Sequence, residues 1–183
     1  MTGVYGHGAA RVSDATLRFI CPTSGLGVTL EPAAVRKLKL AASQAWPNET
    51  GGVLVGRYTS ARTMAQVEDL STATEDSKAG KRWFVRGTQR LSHWLQACLK
   101  DRRQTYVGEW HTHPGGAPDP SWQDIASVRE ISTTPAMDRP ETILLILGGD
   151  LRSNPTFHVS VITEHIHLRL EKQPISAADA PSN

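Results

Sequence analysis

The run Glu141-Thr-Ile-Leu-Leu-Ile-Leu147 constrains the fold more than any other segment of this 183-residue chain. Its apolar residues are consecutive rather than alternating, Pro140 precedes it and Gly148-Gly149 follow. It is far shorter than the roughly 20 apolar residues of a membrane span. The pattern predicts a central strand over 141–147 that is buried on both faces. Such a strand needs packed neighbours on each side, so the rest of the chain must supply both helices and further strands.

It does so in mixed order. Short apolar runs predict strands over 15–20 and 27–30. Val35, Leu38, Ala42 and Ala45 then recur at helical spacing, which predicts a helix over 32–45 with Pro32 in its first turn and Pro47 beyond its end. Strands over 51–58 and 64–71 read as a hairpin, 72–80 as a polar loop, and 82–86 as a strand. Leu91, Trp94, Leu95, Cys98 and Leu99 mark an amphipathic helix over 88–102 with Cys98 facing the core. A strand over 105–111, a Gly/Pro loop over 114–120, a helix over 121–132 and strands over 157–162 and 165–170 complete the chain. Regular βαβ alternation is absent, which predicts an α+β domain with a mixed sheet flanked by helices. A chain of this length buries about 70% of its unfolded surface, enough for one core. We expect a flexible N-terminus over 1–13, one domain over 14–173 and a mobile tail over 174–183.

Charge and cysteine content narrow the function classes. Twenty Lys and Arg against eighteen Asp and Glu leave a net +2, without the long basic blocks that phosphate binding needs, so no nucleic-acid partner is expected. Cys21 and Cys98 form no CxxC pair, which excludes an all-cysteine zinc site and fits a reducing cytoplasm. Neither a membrane-spanning stretch nor a secretory leader is visible, and a cytoplasmic location is expected.

The chemistry is concentrated in Gly108-Glu-Trp-His-Thr-His-Pro-Gly-Gly-Ala-Pro-Asp-Pro-Ser-Trp-Gln-Asp124. On a strand the side-chain period is two, so His111 and His113 project from one face with Cα atoms about 6.5 Å apart, close enough to share one ion. Asp124, opening the next helix, can complete the set. Two nitrogens and one carboxylate oxygen leave a tetrahedral position for water, the pattern of a catalytic rather than a structural zinc site. Ser121-x-x-Asp124 is also a capping box, and the two roles are compatible. His165 and His167 repeat the spacing without a loop and a carboxylate-led helix, and read as solvent-face strand residues. Trp110 and Trp122 read as packed aromatics. Glu109 is in phase with His111 and His113, so from spacing alone it is as credible a general base as Glu49.

HTHP, seven residues to Ser121 and then Asp124, together with Glu49-Thr-Gly-Gly-Val-Leu-Val-Gly56 upstream, resembles the JAMM motif of the JAB/MPN metalloproteases across roughly 25–170. The resemblance implies a cytidine-deaminase-like JAB/MPN fold in which His111, His113 and Asp124 bind one Zn²⁺. It implies Glu49 as general base and Ser121 as donor to the oxyanion, with Glu109 left as a partner to a ligand imidazole or a substrate contact. It also implies hydrolysis of the isopeptide bond between the C-terminal tail of a ubiquitin-like tag, or another E1/E2-conjugated protein, and its target. The wording Gly-Glu-Trp-His-Thr-His-Pro is most similar to compact bacterial JAB proteins of CBASS and related anti-phage conjugation systems. Two alternatives accompany that expectation: a metal-free MPN-type interaction scaffold, and a peptidase that releases an adduct from a Gly-Gly-tailed carrier protein. Oligomeric state is not encoded in any pattern of the chain.

Overall fold

The computed structural model describes residues 15–59, 61, 63–134 and 141–174. In chain order its elements are β1 (Leu17–Ile20), β2 (Gly27–Leu30), α1 (Pro32–Ala45), β3 (Gly51–Tyr58), β4 (Met64–Leu70), β5 (Lys78–Gly80), β6 (Trp83–Val85), α2 (Leu91–Arg102), β7 (Thr105–Pro114), α3 (Trp122–Ser132), β8 (Thr142–Asp150), β9 (Asn154–Ile162) and β10 (His167–Lys172). The expected flexible N-terminus, nearly all of the expected tail and most of the loop after α3 lie outside the described residues.

β8 is the doubly buried strand that the apolar run predicts. Residues Thr142 to Leu147 are each at most 3% exposed. Ile143, Leu145 and Leu147 enter the main core with Val35, Leu38 and Ala42 of α1. Leu144 and Ile146 face the other way, against Ile162 and against Val128 and Ile125 of α3. Truncating any of these leucines to Ala would cost about 2–5 kcal/mol, because neither side can collapse into the gap.

β8 pairs in parallel with β7 and antiparallel with β9. Beyond β7 the sheet runs through β3, β4 and β2; beyond β9 it runs through β10 and β1. β1 pairs with both β2 and β10, so the eight strands close into a barrel. The mixed α+β character matches the expectation, since β2–β4 and β7–β8 are parallel among antiparallel neighbours. The expected sheet flanked by helices is corrected in one respect: the sheet closes on itself, and α1 shares its core. Closure rests on the pairing of the four-residue β1 with β10 at the opposite end of the chain, a contact that no local pattern encodes.

Helix α1 begins with Pro32 after extended Glu31, and helix α3 begins with Ser121 as its cap, both as expected. Three local differences have physical causes. Residues 78–80, expected as loop, pair with β6 as a separate two-stranded hairpin. Helix α2 starts at Leu91 because the Asp76 carboxylate holds the backbone N–H groups of Thr88 and Gln89 in a turn. Leu99 is 60% exposed rather than packed, while Cys98 is buried as expected. No helix among the described residues is long and apolar enough to cross a membrane.

Candidate metal centre

β7 extends to Pro114, so both histidines stand on it, with His111 and His113 on one face and Trp110 and Thr112 on the other. The inward pair fixes the strand. Trp110, 1% exposed, donates its Nε1–H to the Ser71 carbonyl at 2.9 Å. Thr112 Oγ1 accepts from Thr50 N–H at 3.0 Å, and Thr112 N–H donates to the Thr50 carbonyl at 2.9 Å. Those two bonds pin the Glu49-Thr50 step against the histidine strand. Next along, Gly51 pairs with His111 and Gly52 with Trp110. A Cβ on Gly51 would collide with the Trp110 carbonyl and stand 2.8 Å from the Phe84 ring and 3.0 Å from His111 Cβ. The Gly-Gly pair therefore lets β3, and Glu49 just before it, lie close beside the ligand strand.

The Nε2 atoms of His111 and His113 are 3.1 Å apart. Asp124 Oδ1 lies 3.3 Å from the first and Oδ2 3.7 Å from the second. Donor atoms of the three residues all lie within 4.8 Å of one another. His113 Nδ1 is 3.2 Å from the Ala117 carbonyl, which can only accept, so Nδ1 carries the proton and the Nε2 lone pair faces the cluster. The loop that presents Ala117 rests on the end of β8. Gly149 N–H donates to Gly116 O at 2.7 Å, and a Cβ on Gly148 would stand 2.6 Å from both Gly116 O and Pro118 N. The glycines that end the apolar run thus shape the site.

Ser121-x-x-Asp124 forms the expected capping box. Asp124 N–H donates to Ser121 Oγ at 3.2 Å, and Asp124 Oδ2 accepts from Ser121 N–H at 2.6 Å, a complete capping box. The cap orients the carboxylate so that Oδ1 turns to His111. Burial raises the Asp124 carboxyl, but the hydrogen bond and charge of His111, together with Ser121, hold it well below the usual carboxylate range. A deprotonated carboxylate beside two imidazole nitrogens is a donor set that suits Zn²⁺.

These residues line one cleft of about 960 Å³, walled by residues 81–86 of the hairpin and by α3, and floored by β7. Glu49 lines it too, and its backbone N–H donates to the Gly80 carbonyl at 2.8 Å. Burial pushes the Glu49 carboxyl up; His113 draws it down and Asp124 raises it further. Glu109 is engaged elsewhere. Its oxygens accept from Arg86 Nε at 2.9 Å, from Arg86 Nη2 at 3.3 Å and from the Tyr106 hydroxyl at 3.0 Å, with the side chain 13% exposed. It braces the hairpin against β7, and no bond from it to a ligand imidazole is present among the described residues. Sequence reasoning missed this brace, because Tyr106 is out of phase with Glu109 on a regular strand. A register shift, with Leu54 opposite Gly108 and Val55 opposite Tyr106, brings them together.

Two other expectations are corrected or confirmed here. Trp122, expected as a packed aromatic, is 74% exposed, since as the first residue of α3 it projects outward from the cap. His165 and His167 are exposed as expected, but His165 lies in the turn before β10 rather than on the strand.

Residues 31–162 match the family described as prokaryotic homologs of the JAB domain. The chain is 34% identical over 134 residues to the CD-NTase/cGAS isopeptidase of Enterobacter hormaechei subsp. hoffmannii, covering 73% of this chain and 74% of that protein. It is 26% identical over 121 residues to the probable metalloprotease y4qB of Sinorhizobium fredii, covering 64% and 74% respectively. The solution structure of protein DSY2949 from Desulfitobacterium hafniense shares the fold, with a TM-score of 0.55 at 21% identity over 80% of this chain and 89% of that one. The family match spans 132 residues from β2's end to the close of β9, Glu49, both histidines and Asp124 included, and the chain belongs to the prokaryotic JAB domain family.

Proposed function

We propose that this protein is a zinc-dependent isopeptidase that hydrolyses the amide bond between the C-terminal tail of a ubiquitin-like or E1/E2-conjugated protein and its target, in the cytoplasm of a cell defending against phage. The observation that carries the reading is the convergence of His111 Nε2, His113 Nε2 and Asp124 Oδ1 in a cleft that Glu49 also lines. Support for the conjugated substrate comes from the similarity to the CD-NTase/cGAS isopeptidase of Enterobacter. The catalytic unit is residues 14–173.

His111, His113 and Asp124 would hold the ion. When bound, zinc polarises the scissile carbonyl and lowers the pKa of water. The other tasks fall to side chains. Glu49, raised by burial toward the working range of a general base, takes the proton of the attacking water and returns it to the departing amine. Ser121 already accepts from Asp124 N–H, which leaves its O–H to donate to the oxyanion. The Ala117 carbonyl keeps the His113 ring in one tautomer, and the capping box keeps Asp124 turned inward. An extended tail can lie between the hairpin and α3, with β6 offering a strand edge for main-chain bonds.

The test is cleavage of a fusion in which the C-terminus of a CD-NTase is joined by an amide bond to a reporter. Cleavage at the junction, abolished by a chelator and restored by zinc, is the expected result. No cleavage by protein carrying one equivalent of zinc would overturn the proposed substrate. Less than about a tenth of an equivalent of zinc after purification from zinc-containing medium would favour the metal-free scaffold instead.

A further inference from the structure

The β5–β6 hairpin carries a cationic and aromatic face that the proposed hydrolysis does not use. The two strands pair Lys78 with Val85 and Gly80 with Trp83. Directly opposed residues share a face of an antiparallel ladder, so Lys78, Trp83 and Val85 stand together on one side. Phe84 stands on the other side, where its ring meets Gly51 of β3. The first side is open: Trp83 is 51% and Val85 59% exposed, and the turn that joins the strands is exposed Lys81-Arg82.

The charge on this face is unmatched. Lys37 and Arg102 are paired with Asp69, Arg57 with Glu68, and Arg86 with Glu109. Among the described residues no ion pair or side-chain hydrogen bond reaches Lys78, Lys81 or Arg82, the three cations of the hairpin. An exposed indole flanked by unneutralised cations is the composition of an interface anchor, since Trp and Arg dominate binding hot spots and complementary charge sets encounter rate and register. Residues 81–86 also line the cleft that contains Glu49, His111 and His113. Whatever docks on the hairpin is therefore continuous with whatever enters the site.

We propose that this face docks an acidic segment with interspersed apolar side chains, carried by the same protein whose tail is cleaved; the partner's role as substrate rests on the function proposed above. Negative side chains meet Lys78, Lys81 and Arg82, and apolar ones cover Trp83 and Val85. A polypeptide suits the face better than a nucleic acid. Three cations neutralise few phosphates and one exposed indole offers one stacking surface, where nucleic-acid sites typically combine some 6–10 phosphate contacts or several aromatic platforms.

The test measures binding rather than turnover. The full-length, zinc-loaded Glu49→Gln protein is titrated by fluorescence anisotropy with two labelled peptides of equal length, one alternating Leu with Asp and Glu, the other alternating Leu with Lys. The acidic peptide should bind at least about tenfold more tightly at low salt and weaken as salt is raised. The triple variant Lys78→Glu, Lys81→Glu, Arg82→Glu and the single variant Trp83→Ala should each lose about tenfold, with zinc content and circular dichroism unchanged. Equal affinity for the two peptides on the unaltered hairpin overturns the proposal, and this comparison needs no variant to fold. So does undiminished affinity in the folded triple variant, or tighter binding of a single-stranded oligonucleotide of equal charge. Selective docking without cleavage of any fusion would count against the hydrolase reading alone; cleavage without selective docking would count against the hairpin alone.

Discussion

His158 makes acid stability a sharp test of the packing around β8. It lies on β9 opposite Ile146, on the side that faces α3, and is 4% exposed. Neither ring nitrogen has a hydrogen-bond partner among the described residues. Asp119 Oδ1 is 3.9 Å from Nδ1, too long for a hydrogen bond, and the same oxygen lies 3.7 Å from Arg169. Burial first, then the charges of Arg169 and His167, push the imidazole down to about 4, with Asp119 pulling the other way. The unfolded chain keeps an ordinary imidazole near about 6.5. Above that pH both states are neutral and His158 adds no slope. Between about 6.5 and about 4 the unfolded chain takes up a proton that the folded chain refuses, so stability falls as pH falls, and the loss levels off below about 4. The whole difference amounts to about 3 kcal/mol, of which about 2 kcal/mol is lost by about pH 5. Urea denaturation of wild type and His158→Leu at about pH 7.5 and about pH 5 isolates it, because every other titrating group, the site histidines included, is common to both proteins. Wild type should lose about 2 kcal/mol more than the variant between the two conditions. At the higher pH the Leu protein should be at least as stable, since an unpaired buried polar group has been removed. Equal pH slopes in the two proteins would refute the reasoning.

The site supports further expectations. Glu49→Gln should keep its zinc and lose about 10²–10⁴-fold in kcat, whereas Glu109→Gln should stay within about tenfold of wild type; full turnover in the first would transfer the base to another group. Gly51→Ala should lower stability by about 1–3 kcal/mol in a urea titration, because Trp110 O and His111 Cβ belong to a strand that cannot withdraw. Ser121→Ala should lose about 1 kcal/mol of stability from the missing cap and slow turnover by about 10²-fold or more; an unchanged rate would leave the hydroxyl only its capping role.

Much of this molecule was legible in its sequence where local periodicity carries the information. The doubly buried β8, the span of α1 and the Ser121 cap follow from patterns within one element, and tertiary packing agrees with them. The histidine pair was legible because a strand's period of two is insensitive to where the strand ends. Asp124 was legible because a cap fixes it whether or not an ion is present. Barrel closure was hidden, since β1 meets β10 across nearly the whole chain. Glu109 was ambiguous for a related reason: phase places it beside the ligands, and only the bulged register and Arg86, 23 residues away, reveal what its carboxylate does. Trp122 was misjudged because aromatic character says nothing of which side of a helix's first turn faces outward. The brace from Glu109 through Arg86 joins the hairpin to the ligand strand, so the wall of the cleft and its floor are built as one unit.

Zinc-edge anomalous diffraction from crystals of the full-length protein tests the central claim most directly. One peak is expected, within about 2.0–2.2 Å of His111 Nε2, His113 Nε2 and an Asp124 carboxylate oxygen. A peak bound elsewhere, or none at saturating zinc with the three side chains still gathered as they are here, would contradict it.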